Sequence, residues 1–192
     1  MADQHRRVAP FVALTVAVVV AALFVVLAGS DTSGSDKIDS ALIGRPAPRV
    51  ISTTLDDEPF DLSRRKGSWV VLNFFDPECV PCVQEHPELV TFAADQAAVA
   101  DGAELYTIVS RRGVDDDVRA FFAERGGEWP IVRDPKGSIN VSFGVSKVPE
   151  TWIIDPDGVV QIRFGGPVVG SDVSAVLQQL REIRVAELVG PS

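Results

Sequence analysis

Seven consecutive residues, Trp69-Val70-Val71-Leu72-Asn73-Phe74-Phe75, constrain this chain more than any other stretch. A run with one polar member and no polar–apolar alternation is what a strand buried on both faces requires. Such a strand needs sheet neighbours on either side and covering layers above and below. The run passes through Asp76-Pro77-Glu78 directly into Cys79-Val80-Pro81-Cys82, where a helical pattern begins. These are the only two cysteines among 192 residues.

Strand-like and helix-like segments alternate beyond that point. A helix is predicted from about Val80 to Ala98, with Val83, Leu89, Val90, Phe92 and Ala93 as apolar markers and Pro87 inside it. Ala103–Ser110 reads as the next buried strand. Asp115–Arg125 reads as a helix with acids at its positive end. A short strand is expected at Trp129–Val132. Two strands flank the turn Pro156-Asp157-Gly158 and make a hairpin. Ser171–Ile183 closes as an amphipathic helix, with Val173, Val176, Leu177 and Leu180 on one face. The order predicts an α/β fold, with a central mixed β-sheet and helices on both faces.

Residues 11–28, Phe11 to Ala28, hold one polar residue, Thr15. Eighteen helical residues at about 1.5 Å each nearly cross a hydrocarbon core. Arg6 and Arg7 precede the run, so the positive-inside rule places residues 1–10 in the cytoplasm and the rest outside. A cleaved signal peptide ending near Ala28 is the alternative, although the run is longer than the usual signal core. No cysteine stands at its end, which excludes a lipid-modified anchor there. Residues 29–41 read as a Ser, Asp and Gly-rich tether. The folded domain is expected over 42–188, with 189–192 as a tail. The whole chain carries a net charge of −9, and removing residues 1–30 leaves −10. No basic run of nucleic-acid type occurs, so no nucleic-acid partner is expected.

The cysteine pair has three readings. A disulfide between Cys79 and Cys82 closes a tiny loop and constrains the unfolded chain least. A zinc site needs about four ligands, and the histidines are only His5 and His86. No metal is therefore assigned. A redox pair fits best. A thiol where a helix begins meets partial positive charge and unpaired N–H groups, which favour thiolate. Cys82, one turn further in, can resolve a mixed disulfide. An exported domain permits this chemistry.

The motifs resemble the thioredoxin superfamily, and within it the membrane-anchored TlpA/ResA/CcmG (DsbE) group. The resemblance runs from Gly44 to about Leu188. It rests on C-V-P-C after a buried strand, Pro87 five residues on, and Gly44-Arg45-Pro46-Ala47-Pro48. It rests further on Cys82 through Glu85-His86 and Leu89, and on Gly144-Val145 followed by Val148-Pro149-Glu150-Thr151. It implies a thioredoxin-like fold behind one transmembrane helix and an extracytoplasmic thiol–disulfide oxidoreductase with Cys79 and Cys82 catalytic. It needs no cofactor. Implied partners are apocytochrome c or another exported disulfide protein as client and a membrane thiol reductant as donor. Pro149 stands where the family has its cis-proline, with Val148 before it as a client-binding backbone. The chain departs from the group at Glu78, where a Trp is usual. A carboxylate beside Cys79 disfavours its thiolate.

Asp61 resembles an acid kept near the buried cysteine and could take its proton. It also reads as a cap before Leu62-Ser63. Glu150 is a candidate for tuning the pair, or a solvated strand edge. His86 is expected to pack or cap rather than act as a base, and Trp129 and Trp152 to lie in the core. An exported disulfide-forming oxidant or a general reductase would use the same cysteines. A peroxiredoxin-like peroxidase lacks its Thr before the cysteine here. A copper carrier of related fold would use C-x-x-x-C and a distal His.

Overall fold

The computed structural model describes residues 14–22, 36–109 and 114–190. The chain divides into two units, Met1–Gly34 and Ser35–Ser192. In the first, residues 14–22 form helix α1, with exposed side chains. The ends of the span expected at 11–28 lie outside the described residues. Among the described residues, no helix is long and apolar enough to cross a membrane.

The second unit begins with strand β1 (Asp36–Lys37), then β2 (Ile51–Thr53), β3 (Pro59–Asp61) and a 3₁₀ turn (Leu62–Arg65). Strand β4 (Val70–Phe75) leads to helix α2 (Val80–Ala97), β5 (Glu104–Val109) and α3 (Asp115–Arg125). Then come β6 (Ile131–Arg133), α4 (Ser138–Phe143), β7 (Glu150–Ile154), β8 (Val160–Gly165) and α5 (Gly170–Val189). Six strands form one sheet in the order β1-β8-β7-β4-β5-β6. β4, β5 and β6 run parallel, while β7, β8 and β1 join antiparallel, so the sheet is mixed as expected.

All six residues of β4 are buried, and their alternation sorts the core into two layers. Val70, Leu72 and Phe74 face a cluster with Trp152, Ile154, Phe60, Leu62, Ile139 and Phe143. That face is covered by the β2–β3 hairpin, the 3₁₀ turn and α4. Val71 faces the opposite cluster with Leu89 and Phe92 of α2 and Val173 and Leu177 of α5. Phe75, on the same side, meets Phe121 and Phe122 of α3. Asn73 shares this face. At about 25 cal/mol per Å² of apolar surface, these layers dominate stability.

Three elements differ from the sequence reading. Residues 36–37 belong to the sheet rather than to a tether over 29–41, because the open edge of β8 accepts a partner strand. Helix α4 was not expected. Its N-terminus is held by the buried carboxylate of Asp134, which accepts the N–H groups of Ile139 and Asn140 at 2.9 and 3.0 Å. A six-residue helix needs such help from outside itself. β6 begins after Pro130, later than Trp129, since proline lacks a donor for the ladder.

Candidate active site

The strand-to-helix junction sets the cysteines. Cys79 is the N-cap of α2, in extended conformation, and its Sγ accepts the Cys82 N–H at 3.2 Å. Pro81 sits in the first turn, where a missing N–H is no loss. Cys79 and Cys82 form a disulfide with Cα atoms 5.2 Å apart. Cys79 is half-buried, whereas Cys82 is 0% exposed. On reduction, Cys79 alone presents a sulfur to a macromolecular client. That sulfur sits among the unpaired N–H groups of the helix start, which favour thiolate.

The segment expected opposite the pair is there. The Val148–Pro149 peptide bond is cis. The Val148 carbonyl oxygen lies 3.5 Å from Cys79 Sγ. Pro149 is buried and its carbonyl accepts the Gly166 N–H at 3.0 Å, which ties the turn to the end of β8. Beside Val148 lies a cleft of about 200 Å³ lined by Phe75, Asp76, Asn140, Val145, Ser146 and Lys147. Exposed Val80 lies between the two cysteines in the chain, and exposed Val141 lies on α4 next to Asn140. Backbone at Val148 with apolar contacts around it can pair an extended chain.

A residue missing from the sequence-based candidates stands behind the pair. Glu85 is 2% exposed and sits one turn beyond Cys82 on the buried face of α2. Its Oε1 accepts from Asn73 Nδ2 at 2.7 Å and its Oε2 accepts from the Val168 N–H at 2.9 Å. Asn73 Nδ2 also donates to Thr151 Oγ1 at 3.2 Å. Burial pushes the Glu85 carboxyl up to about 7, against the lowering effect of the Val168 and Asn73 bonds. A group that titrates near neutrality beside a buried thiol can exchange a proton with it. The signal was present in the sequence. Cys82, Glu85, His86, Leu89, Phe92 and Gln96 share one helical stripe, so an acid on it had to be buried.

The other candidates sit elsewhere. Asp61 is the N-cap of the 3₁₀ turn, accepting Ser63 N and Ser63 Oγ at 3.0 and 2.8 Å. Those bonds hold its carboxyl below the usual range. They turn it to its own loop, and the buried acid nearest Cys82 in sequence is Glu85. Glu150 is 1% exposed, so it is no solvated edge. Arg163 grips it at 3.0 and 2.8 Å and lies 5.2 Å over the Trp152 ring. Thr151 bonds Asn73 on the α2 side, so Glu150 points to the other face of the sheet. Glu78 is exposed, and its N–H donates to Asp76 Oδ1 at 2.9 Å. His86 packs edge-on against Phe121 and Phe122 and its Nε2 lies 2.8 Å from the Gly126 carbonyl. Burial lowers its pKa. Trp152 is 0% exposed, and half-buried Trp129 donates through Nε1 to Thr107 Oγ1 at 2.8 Å. Among the described residues, no group of three or more His, Cys, Asp or Glu is placed to hold a metal ion.

The chain is similar to known proteins. The AhpC/TSA family model matches residues 43–163. A thiol:disulfide interchange protein DsbE homolog from Paracoccus denitrificans is 31% identical over 156 residues, covering 79% of this chain and 83% of that one. The thiol:disulfide interchange protein HelX of Rhodobacter capsulatus is 31% identical over 144 residues, covering 73% and 78%. A crystal structure of a DsbE-type interchange protein from Chlorobium tepidum superposes with a TM-score of 0.62 at 27% identity, covering 77% of this chain and 96% of that one. With the cysteine pair at the start of α2 and the mixed sheet behind it, these likenesses make the chain a member of the AhpC/TSA family, a thioredoxin-like thiol–disulfide oxidoreductase.

Proposed function

We propose that this protein is a membrane-tethered, extracytoplasmic reductase that opens disulfides in apocytochrome c or a related exported client. The observation that carries it is the exposure difference across the pair, with Cys79 Sγ facing the Val148 carbonyl at 3.5 Å and Cys82 buried behind. The client chain lies extended against Val148 ahead of Pro149. Cys79 thiolate attacks one client sulfur, the client S–S bond breaks, and one client thiolate leaves. Cys82 then gives its proton to the Glu85 carboxylate and attacks Cys79 Sγ. The mixed disulfide breaks, the second client thiolate leaves, and Cys79–Cys82 is oxidised. Both client thiolates take up protons, one of them the proton Glu85 held. A membrane thiol reductant restores the pair. Residues 11–28 serve as the anchor with residues 1–10 in the cytoplasm, and no cofactor takes part.

The names of the relatives support interchange of thiols and disulfides, and the resemblance to the DsbE group supports the cytochrome client. The reduction potential of the intact protein tests the direction of flow. Equilibration with glutathione or dithiothreitol should give about −250 mV or lower, in the range of thioredoxin. A value near about −120 mV would make it an oxidant that forms disulfides in exported proteins. A Cys82→Ser variant should capture a C-x-x-C-H peptide disulfide in preference to a scrambled peptide. Equal capture of both would leave a general reductase.

A further inference from the structure

Asn73 occupies the buried centre of β4 with an unbalanced amide. Its Nδ2 group makes two bonds, to Glu85 Oε1 at 2.7 Å and to Thr151 Oγ1 at 3.2 Å. Its Oδ1 is buried and has no hydrogen-bond partner among the described residues. Leaving such an acceptor unmet is costly, and β4 tolerates it only if the donor side gains more. The gain is plain when Glu85 is ionised, because a carboxylate strengthens the N–H bonds it accepts.

The balance reverses when Glu85 gains a proton. Both its oxygens are then already occupied as acceptors, Oε1 by Asn73 and Oε2 by Val168. The new O–H needs an acceptor, and the orphan Oδ1 belongs to the very amide that faces it. A half-turn of the amide about its last bond exchanges Nδ2 and Oδ1 with little change in shape. Oδ1 then accepts from the Glu85 hydroxyl and can accept from the Thr151 hydroxyl as well.

We propose that Asn73 is a positioning residue for the exchange reaction, an amide switch that donates to Glu85 as carboxylate and rotates to accept from it as acid. The switch holds Glu85 one turn behind Cys82 in both proton states. It also links that state to β7, since Thr151 lies two residues after Pro149. Among the described residues of the elements around it, the charged groups are engaged elsewhere or exposed. β4 carries none, and Glu150, the charged residue of β7, pairs with Arg163 on the other face. Val168 contributes a backbone N–H, and Asp172 in the first turn of α5 is exposed. On α2 itself, Glu88 accepts the Gly170 N–H at 3.1 Å and His86 turns to Gly126. Cys82, one turn before Glu85 on the same helix, is disulfide-bonded here.

The inference rests on Glu85 as the proton partner of Cys82 for its use in catalysis, but the switch itself is read without turnover. The intact protein is labelled with ¹³C and ¹⁵N, and the Glu85 carboxyl carbon and the Asn73 side-chain amide are followed by NMR from pH 5 to 9. The Asn73 amide resonances should move with the Glu85 midpoint. Asn73→Leu removes the donor and should raise that midpoint by about one to two pH units, shifting the pH profile of exchange with it. An Asn73 amide that stays constant while Glu85 titrates overturns the switch, as does an Asn73→Leu midpoint equal to wild type. Should that variant fail to fold, the wild-type amide titration decides alone. If Glu85→Gln exchanges disulfides with an unaltered pH profile, the proton role of Glu85 falls, while the amide titration still reads the switch.

Discussion

Glu85 and Asp61 show how environment, more than residue type, assigns a carboxylate its work. Both precede or follow apolar residues, and both resemble acids of the family. Asp61 spends its oxygens on Ser63 at a loop. Glu85 lies on the buried stripe of α2 and is pushed up to about 7 from an ordinary 4.5. Between those two pH values the folded chain holds a proton that the unfolded chain has lost. Stability should therefore fall as pH rises through that window, by roughly 3 kcal/mol at most, and level off above it. Glu85→Gln should remove this slope, so urea midpoints of the variant relative to wild type should rise from pH 4.5 to 7. Parallel curves would place the titration on another group. At the same scale, Cys79→Ser should abolish exchange, while Cys82→Ser should accumulate a mixed disulfide visible by mass spectrometry. Trapping by Cys79→Ser instead would exchange the two roles. The cysteines were legible from their spacing. Asp61 could not be resolved from sequence, because a cap and a buried acid use the same residue and only the loop's path separates them.

Helices α2 and α5 meet so closely that side chains of one complete the other. Val169 provides no side-chain cap for α5. Glu88 supplies it from α2, accepting the Gly170 N–H at 3.1 Å. A Cβ at Gly170 would stand 2.5 Å from the Glu88 carbonyl oxygen. Gly170→Ala should force the helices apart at the turn that carries Val168 and its bond to Glu85. A loss of about 1–3 kcal/mol is expected, with an altered Glu85 titration. Thermal melts and the same carboxyl NMR signal check both, and an unchanged melt would mean the helices yield without cost. This contact was not legible in the sequence, since α2 and α5 are some 80 residues apart. The strands were, because an apolar run such as Val70–Phe75 is committed by its own composition. Helix α4 escaped because its cap, Asp134, lies outside the six residues it stabilises.

Across the whole molecule, the sheet extends to residue 36, and the edge strand has a purpose. Lys37 pairs with Phe164, the Ile38 N–H donates to the Arg163 carbonyl at 3.0 Å, and Ile38 packs over Gly165. β8 also carries Arg163, which pairs with buried Glu150, the first residue of β7 after the cis-proline. A fragment beginning at residue 35 should thus be more stable than one beginning at Leu42, by about 1–2 kcal/mol. Denaturant titration of the two fragments checks this, and equal midpoints would make β1 an ornament of the edge. By itself the chain determined its layers and its chemistry. Periodicity decides which segments are strands and helices, and two cysteines where a strand becomes a helix bring thiolate-favouring dipoles with them wherever they fold. Only the tertiary structure decided which donors Glu85 meets behind the buried cysteine, which carboxylate is neutralised by Arg163, and which helix caps another. Those outcomes depend on distances and desolvation between segments far apart in the chain, and neither exists until the layers close.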